Sequence, residues 1–131
     1  MTNEPQLQVP LDGLFLSPIP PWGASVLVLR ERRDVLLVRR RSEWGPPAVT
    51  RLPDEPIASC GARALDEIVG LTLPLWPVTD ADPAWAVFVA TTTGDGRVRL
   101  GNGYECCEWV PIDRAGERCT DLVSDTLRLV A

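Results

Sequence analysis

The 131-residue chain contains no lysine and no histidine, so arginine supplies all thirteen of its basic side chains. A Ser-His or Cys-His nucleophile pair needs an imidazole, and Schiff-base and P-loop chemistry need a lysine. Zinc sites of the finger and zincin types need histidine ligands. Acid–base chemistry in this chain therefore depends on Asp, Glu, Cys, Tyr, a bound metal or the substrate itself.

Long apolar runs and an excess of basic charge are also missing. No run approaches the roughly 20 residues that span a membrane, and the first residues lack the features of a signal peptide. The net charge of −5 argues against binding to a nucleic-acid polymer. We therefore expect a cytoplasmic protein whose partner is a small-molecule substrate or ligand, without membrane partners; the sequence leaves a homodimer open.

The four cysteines do not form a C-x-x-C pair. Cys106 and Cys107 are neighbours, and in a strand their side chains would point to opposite faces. Neither joint metal ligation nor an ordinary disulfide fits that arrangement. We expect free thiols in a reducing compartment.

The chain divides into a proline-rich lead-in and one domain. Residues 1–21 contain five prolines, which predict an extended, irregular segment. Residues 22–131 are long enough for a single buried core. We predict strands over five apolar segments, residues 24–30, 35–40, 85–92, 97–100 and 105–110. A polar turn at 31–34 would join the first two into a hairpin, and residues 93–96 form a second turn.

Between the strands, residues 42–53 are so interrupted by Pro and Gly that we expect an irregular loop. A helix is predicted over 55–69, capped by Asp54 and ended by Gly70. Its core face is expected at Ala58, Ala62, Leu65 and Val69. A second helix is predicted at 121–130. The order β-β-α-β-β-β-α indicates an α/β protein with a mixed sheet and helices on its faces.

Residues 44–71 read WGPPAVTRLPDEPIASCGARALDEIVGL. This segment resembles the signature of the Nudix hydrolases, G-x5-E-x7-R-E-U-x-E-E-x-G-U with an aliphatic residue at U, which a Trp and a Pro often precede. The matching residues are Trp44, Pro47, Glu55, Arg63, Leu65, Glu67, Gly70 and Leu71. LLVRRR upstream and EWVPID downstream also lie where family members have such segments. The resemblance implies a Nudix-like α/β/α sandwich with a mixed β-sheet.

The departures from the signature concern the metal. The Gly-Gly of the family is Ala48-Val49, and two of its three helix glutamates are Ala64 and Ile68. In the family these glutamates supply most of the protein ligands for Mg²⁺ or Mn²⁺, and here only Glu67 remains. One carboxylate can help to hold Mg²⁺ through substrate phosphates, but it cannot rebuild the cluster. The resemblance thus implies Mg²⁺ or Mn²⁺ as cofactor, bound through Glu67 in a degraded site.

Three carboxylates are the catalytic candidates: Glu67, Glu55 and Glu105. Two of them have a simpler alternative. Glu55 can be a first-turn acid that the helix dipole stabilises, and Glu67 can be a solvated side chain paired with Arg63 one turn earlier. Glu105, like Glu108, lies near the segment where various Nudix enzymes place a later carboxylate.

The candidates for substrate binding are of two kinds. Arg39 and Arg41 end a strand beside the loop and have the planar forks that suit phosphates. Of the three arginines at 39–41, alternation lets at most two share a face of the strand. Trp44 and Trp76 lie in proline-rich loops and are expected to line a pocket, where Ile68 would place a dry side chain at the metal position.

Three functions remain compatible with these features. The first is hydrolysis of a nucleoside diphosphate linked to another group, with weak or altered metal use. The second is a metal-free reaction in the same cavity, catalysed by carboxylates, with Tyr104, Glu108 and the cysteines as further candidates. The third is a non-catalytic module that binds a small molecule or regulates a partner. The loss of two glutamates together with the Gly-Gly favours the second and third over ordinary metal-dependent hydrolysis.

Overall fold

The structure is a computed structural model that describes residues 19–78, 83–93 and 97–119. The predicted helix at 121–130, most of the predicted turn at 93–96 and most of the proline-rich lead-in lie outside these residues. Nine elements are described, in the order β-β-β-β-α-β-β-β-α. No helix among the described residues is long and apolar enough to cross a membrane.

The first two strands form the predicted hairpin. β1 (Gly23–Arg30) and β2 (Asp34–Arg40) are antiparallel and pair at Leu29 with Val35 and at Arg30 with Asp34. The turn closes where the Arg33 amide donates to the Arg30 carbonyl at 3.0 Å. Glu31 and Arg32 there have left-handed φ values of 53° and 58°, a conformation that matches the twist of a tight hairpin.

The prediction of an irregular loop over 42–53 is wrong, because two short strands lie within it. β3 (Glu43–Gly45) turns back along β2, and β4 (Ala48–Thr50) pairs with the start of β1. The β2–β3 turn has Arg41 at φ 53° and Ser42 at φ 67°. Arg-Ser lacks the Asn-Gly or Asp-Gly signal of such turns, so the hairpin was not recognisable from sequence.

The mixed seven-stranded sheet is split between its first two strands. β7 (Cys106–Pro111) pairs with β2 over residues 34–39, so β1 and β3 share the other side of β2. β3 and β4 therefore fill the gap that opens where β1 and β2 diverge. β6 (Ala86–Thr92) runs parallel to β1, and β5 (Trp76–Pro77) pairs with β6 on its far side. The predicted strands at 85–92 and 105–110 are confirmed.

α1 (Ile57–Val69) begins two residues later than predicted. The N-cap residue is Pro56, and no side chain caps the helix. Asp54, the predicted cap, lies outside the helix at φ 62°. The predicted end at Gly70 is confirmed. Gly70 adopts φ 68°, and its amide donates to the Asp66 carbonyl at 3.0 Å. This left-handed position favours glycine, because it lacks a Cβ that would strain the backbone.

The segment predicted as a strand at 97–100 serves instead as a cap for α1, so that prediction is wrong. The Arg99 amide donates to the Val69 carbonyl, and the Gly101 amide donates to the Ile68 carbonyl, both at 2.8 Å. The last carbonyls of a helix have no partner within it. The backbone of this segment satisfies them and is not part of the sheet.

The core face of α1 differs from the predicted one. Ala58 and Ala62 are exposed, and the buried residues of the helix are Cys60, Gly61, Ala64, Leu65, Ile68 and Val69. A stripe at three- and four-residue spacing can be drawn through either set. Leu65 and Val69 belong to both sets, so the prediction is confirmed for these two residues. It is wrong for Ala58 and Ala62.

Two apolar layers enclose the sheet. The first lies between α1 and the sheet and includes Val26, Val28, Leu36 and Phe88. The second covers the opposite face with Leu27, Leu29, Val35 and Leu37, against which the short α2 (Ile112–Ala115) packs. Alternate residues of β1 and β2 thus enter opposite layers, as the period of a strand requires. The predicted mixed α/β architecture is confirmed.

Candidate functional site

Arg63, which is not one of the buried residues of α1, is the centre of an ion-pair network that we call the Arg63 clamp. Its Nε lies 2.9 Å from Glu55 Oε2, and its Nη2 lies 3.0 Å from Glu55 Oε1. Nη2 also donates to the Thr50 carbonyl at 2.6 Å. A longer contact of 3.5 Å joins Nη1 to Glu67 Oε1. The guanidinium therefore connects α1 both to the end of β4 at Thr50 and to the loop between β4 and α1, which contains Glu55.

Glu55 is the most constrained carboxylate of this network. Its side chain is 12% exposed, and Oε1 also accepts from the Leu52 amide at 3.0 Å. The hydrogen bonds from Arg63 hold the pKa of Glu55 below its usual value, although burial opposes them. Glu55 precedes the helix, and no acidic residue lies in the first turn, so the alternative of a first-turn acid is wrong. An ionised carboxylate held in this way is a poor general acid.

Glu67 is held much more loosely. Its side chain is 55% exposed, and its contact with Arg63 is the longest of the clamp. The structure thus bears out the expected pairing with Arg63 one turn earlier, and it shows that Arg63 brings Glu55 and Glu67 to one place. Of the three predicted catalytic carboxylates, these two share a site.

The two other glutamate positions of the signature, 64 and 68, belong to the buried face of α1. Ala64 is fully buried and Ile68 is 2% exposed, and both pack in the layer between α1 and the sheet. Residues 64 and 68 are one turn apart and therefore stack on the same face of the helix. Ile68 thus contacts core residues and does not line an open site beside a cation, which corrects its predicted position at the substrate.

A divalent metal of the Nudix type does not fit this donor set. Hard cations such as Mg²⁺ bind to oxygen ligands, and Ala64 and Ile68 offer none. Over the described ranges, no group of three or more His, Cys, Asp or Glu side chains is close enough to hold an ion. Glu67 is left as a single exposed carboxylate whose nearest charged partner is a guanidinium.

The third catalytic candidate lies elsewhere. Glu105 Oε1 is 3.0 Å from Arg39 Nε, without the alignment of a hydrogen bond. The Glu105 amide donates to the Arg39 carbonyl at 2.8 Å. The predicted catalytic acid and the predicted phosphate ligand are therefore paired with each other. The further candidate Glu108 is likewise held by Arg118, at 2.6 Å.

An open groove of about 430 Å³ lies beside the β2–β3 hairpin. We call it the Tyr104 groove. Its charged lining residues are Arg40, Arg41 and Glu43. Arg41 lines the groove, as expected of a substrate-binding residue. The other predicted arginine, Arg39, does not line it, and Arg40 lies there instead. The prediction followed strand alternation, which places residues 39 and 41 together. The strand ends at Arg40 and the chain turns at Arg41, so alternation no longer applies.

The uncharged part of the groove combines rings with small apolar surfaces. Tyr104 and Trp44 line it together with Val38, Gly45 and Pro46. The Arg40 guanidinium lies 5.6 Å from the centroid of the Tyr104 ring, within the range of a cation–π interaction. A Cβ at Gly45 would meet no atom within 4 Å. The groove therefore has free space beside an aromatic ring and two guanidiniums.

The two tryptophans predicted as pocket residues are far apart in the sheet. Trp44 lies in β3, packs against the second apolar layer and has the Arg118 guanidinium 5.2 Å above its ring. Trp76 lies in β5, where it is 63% exposed. β2, β1 and β6 separate these strands. A single cavity lined by both is therefore wrong, and only Trp44 borders the groove.

The cysteines are all free, as predicted. Burial raises the pKa of Cys60 to about 11, and it also raises the pKa values of Cys107 and Cys119. Thiolates are the reactive form of cysteine. These three side chains are therefore protonated near neutral pH and are poor nucleophiles.

Comparisons with known proteins identify the fold. No family model and no curated protein matches the chain. A C. elegans Ap4A hydrolase in a binary complex is 16% identical, with 82% of this chain and 92% of that chain covered and a TM-score of 0.70. A MutT Nudix hydrolase from Burkholderia pseudomallei is 21% identical, with 83% and 96% covered and a TM-score of 0.63.

A third similar structure is the Nudix domain of Shewanella oneidensis NrtR complexed with ADP ribose. It is 14% identical to this chain, covers 82% of it and 83% of its own length, and has a TM-score of 0.67. These likenesses show that the chain has the Nudix fold. The predicted resemblance to the Nudix hydrolases is confirmed for the fold.

Proposed function

We propose that this protein binds a small molecule in the Tyr104 groove and has lost the metal-dependent hydrolysis of diphosphates. The burial of Ala64 and Ile68 is the observation that carries this proposal. Breaking a diphosphate requires neutralisation of the charge that develops on its oxygens, and a metal held by several carboxylates supplies it. Two of the three positions that would hold the metal are apolar and part of the core.

The remaining carboxylates support the same proposal. Glu55 is occupied by both nitrogens of the Arg63 fork, and its lowered pKa opposes a role as a general acid without metal. Glu105 is paired with Arg39. The arginine at position 63 therefore acts as a structural clamp, and Glu67 alone lacks the partners that would turn it into a metal site or a catalytic pair.

The groove, in contrast, keeps the features of a binding site. Its volume of about 430 Å³ lies in the usual range for small-molecule sites. Apolar surface and a ring adjoin a few charged groups, which is the usual composition of such a site. Of the proteins with the same fold, one is named an Ap4A hydrolase and another is in a complex with ADP ribose. By analogy with them, we infer a small-molecule ligand for this chain.

The test is phosphate release from Ap4A and from ADP-ribose with millimolar Mg²⁺ or Mn²⁺. We expect rates no higher than in buffer, and no effect of either cation on the melting temperature. Glu67→Gln is the matched variant, because it removes the charge and keeps the size of the side chain. Release by the wild type that Glu67→Gln abolishes would contradict the proposal.

A further inference from the structure

We propose that the ligand of the Tyr104 groove is a planar aromatic acid of low charge, such as an aromatic carboxylate, and not a nucleoside diphosphate. This inference rests on the proposed function, since it assumes that the groove binds a small molecule without metal. Three properties of the lining residues support it: the state of the two arginines, the ring beside them and their net charge.

The two arginines of the groove differ from three other arginines of the site region. Arg39, Arg63 and Arg118 each pair with a carboxylate. Among the described residues, no carboxylate forms an ion pair with Arg40 or Arg41. A guanidinium fork matches the two oxygens of a carboxylate and binds it through two parallel hydrogen bonds. Arg40 and Arg41 therefore provide the recognition of an acidic group.

The ring system of the ligand would lie against Tyr104. The Tyr104 side chain is half-buried and already carries the Arg40 guanidinium at 5.6 Å from its centroid. Val38 and Pro46 supply apolar surface in the same groove. Aromatic rings prefer offset-stacked or edge-to-face contacts with one another, so a flat ring can pack beside Tyr104. A ligand with a flat ring next to its acidic group can use both parts of the groove at once.

The charge of the groove argues against a diphosphate. Two guanidiniums and the carboxylate of Glu43 leave one net positive charge among the ionised lining residues. The diphosphate group of a nucleotide carries more negative charge than this and is normally accompanied by Mg²⁺. Glu43 is the one carboxylate among the lining residues, so such an ion would lack ligands there and the excess charge would stay unbalanced. A single carboxylate matches the groove without a metal.

The experiment compares four probes by titration calorimetry on the full chain, without divalent cations. These are 2-naphthoate, its neutral amide, cyclohexanecarboxylate and ADP. Hydrogen bonds to a charged group are stronger than those to a neutral one, so we expect naphthoate to bind about tenfold or more tightly than the amide. Loss of the flat ring in cyclohexanecarboxylate, and the excess charge of ADP, should each weaken binding as well.

Arg41→Ala has a matched control in Arg32→Ala. Both residues are arginines in the tight turn of a hairpin, with φ values of 53° and 58°, so any effect on turn stability is shared. Arg32 does not line the Tyr104 groove. We expect Arg41→Ala to weaken naphthoate binding about tenfold and to leave the amide unchanged, while Arg32→Ala binds as the wild type does.

Gly45→Leu provides an independent test by filling the groove. The added Cβ meets open space, so the fold should tolerate it, which the melting temperature checks. We expect naphthoate binding to be lost in this variant. Equal effects of Arg41→Ala and Arg32→Ala, normal binding by Gly45→Leu, or no binding of naphthoate at millimolar concentration would each overturn the proposal.

The ligand class and the proposed function fail in different ways. Tighter binding of ADP than of naphthoate, without phosphate release, overturns the aromatic-acid class and leaves the non-hydrolytic function intact. Metal-dependent phosphate release that requires Glu67 overturns the proposed function, whatever naphthoate does.

Discussion

The two sides of α1 match the Nudix signature to different extents. On the outer side, Arg63, Glu55 and Glu67 are all present, and the guanidinium joins the carboxylates to the Thr50 carbonyl. On the inner side, Ala64 and Ile68 replace two glutamates and are buried. The match to the signature therefore holds where the residues fix the loop to the helix, and it fails at two positions that carry glutamates in the signature.

The residues of the clamp contribute to stability, whereas the two buried positions would have to carry carboxylates to contribute to chemistry. A clamp needs only charges that meet each other, whereas a metal site needs several oxygen donors around one point. Ala64 and Ile68 join the core instead, next to Leu65 and Val69. Position 68 and the clamp should therefore respond very differently to substitution.

The largest expected effect is that of Ile68→Glu, which restores the family residue. A carboxylate at this buried position would be packed among the apolar side chains of the layer between α1 and the sheet. We expect the free energy of unfolding to fall by about 3–5 kcal/mol, measured by urea denaturation. The conservative change Ile68→Leu keeps the volume and should cost less than about 1.5 kcal/mol.

Addition of Mn²⁺ to Ile68→Glu shows whether the comparison holds. If Mn²⁺ restored the lost stability, residues 67 and 68 would be able to bind one cation together. The buried side of α1 would then need only the family glutamates to form a metal site. We expect no such rescue.

A smaller effect is expected for Arg63→Ala on the outer side. The substitution leaves Glu55, which is 12% exposed, without its charged partner, and we expect a loss of about 2 kcal/mol in unfolding free energy. Glu67→Gln removes only the contact at 3.5 Å and should cost no more than about 0.5 kcal/mol. Equal losses in the two variants would show that Glu67, and not Glu55, is the main partner of Arg63.

The smallest expected effect is the pH dependence that Glu55 introduces. Its pKa is lowered in the folded state from the usual 4.5. The carboxylate therefore contributes stability that is present above pH 4.5 and is lost as the pH falls through the folded-state pKa. The stability gap between wild type and Glu55→Gln should narrow over that range in acid titrations followed by circular dichroism. A gap that stays constant would mean that the charge of Glu55 is not what Arg63 recognises.

Several features of the fold were predictable because local signals agree with the tertiary structure. The β1–β2 hairpin follows from two apolar runs with a polar turn, and the end of α1 follows from Gly70. The spacing of Trp44, Pro47, Glu55 and Arg63 indicates the Nudix fold. At these places, backbone preference and the pattern of apolar residues lead to the same result.

The groove was less predictable. Strand alternation predicts that Arg39 and Arg41 bind together, whereas the turn at Arg41 places Arg40, and not Arg39, in the groove. Trp76 resembled Trp44 in its proline-rich surroundings, but strand order separates the two. Tyr104 was only one of several candidates, because nothing local shows that its ring lies beside Arg40.

The sequence by itself determined which chemistry is available: no imidazole, no lysine amine and a single helix glutamate where the family has three. It also indicated the fold, through the resemblance of residues 44–71 to the Nudix signature. Only the tertiary structure decided where these side chains lie: Ile68 in the core, Glu55 in the clamp, and Arg40 and Arg41 beside Tyr104. The physical reason is that burial and strand order depend on contacts between distant segments, which no local pattern contains.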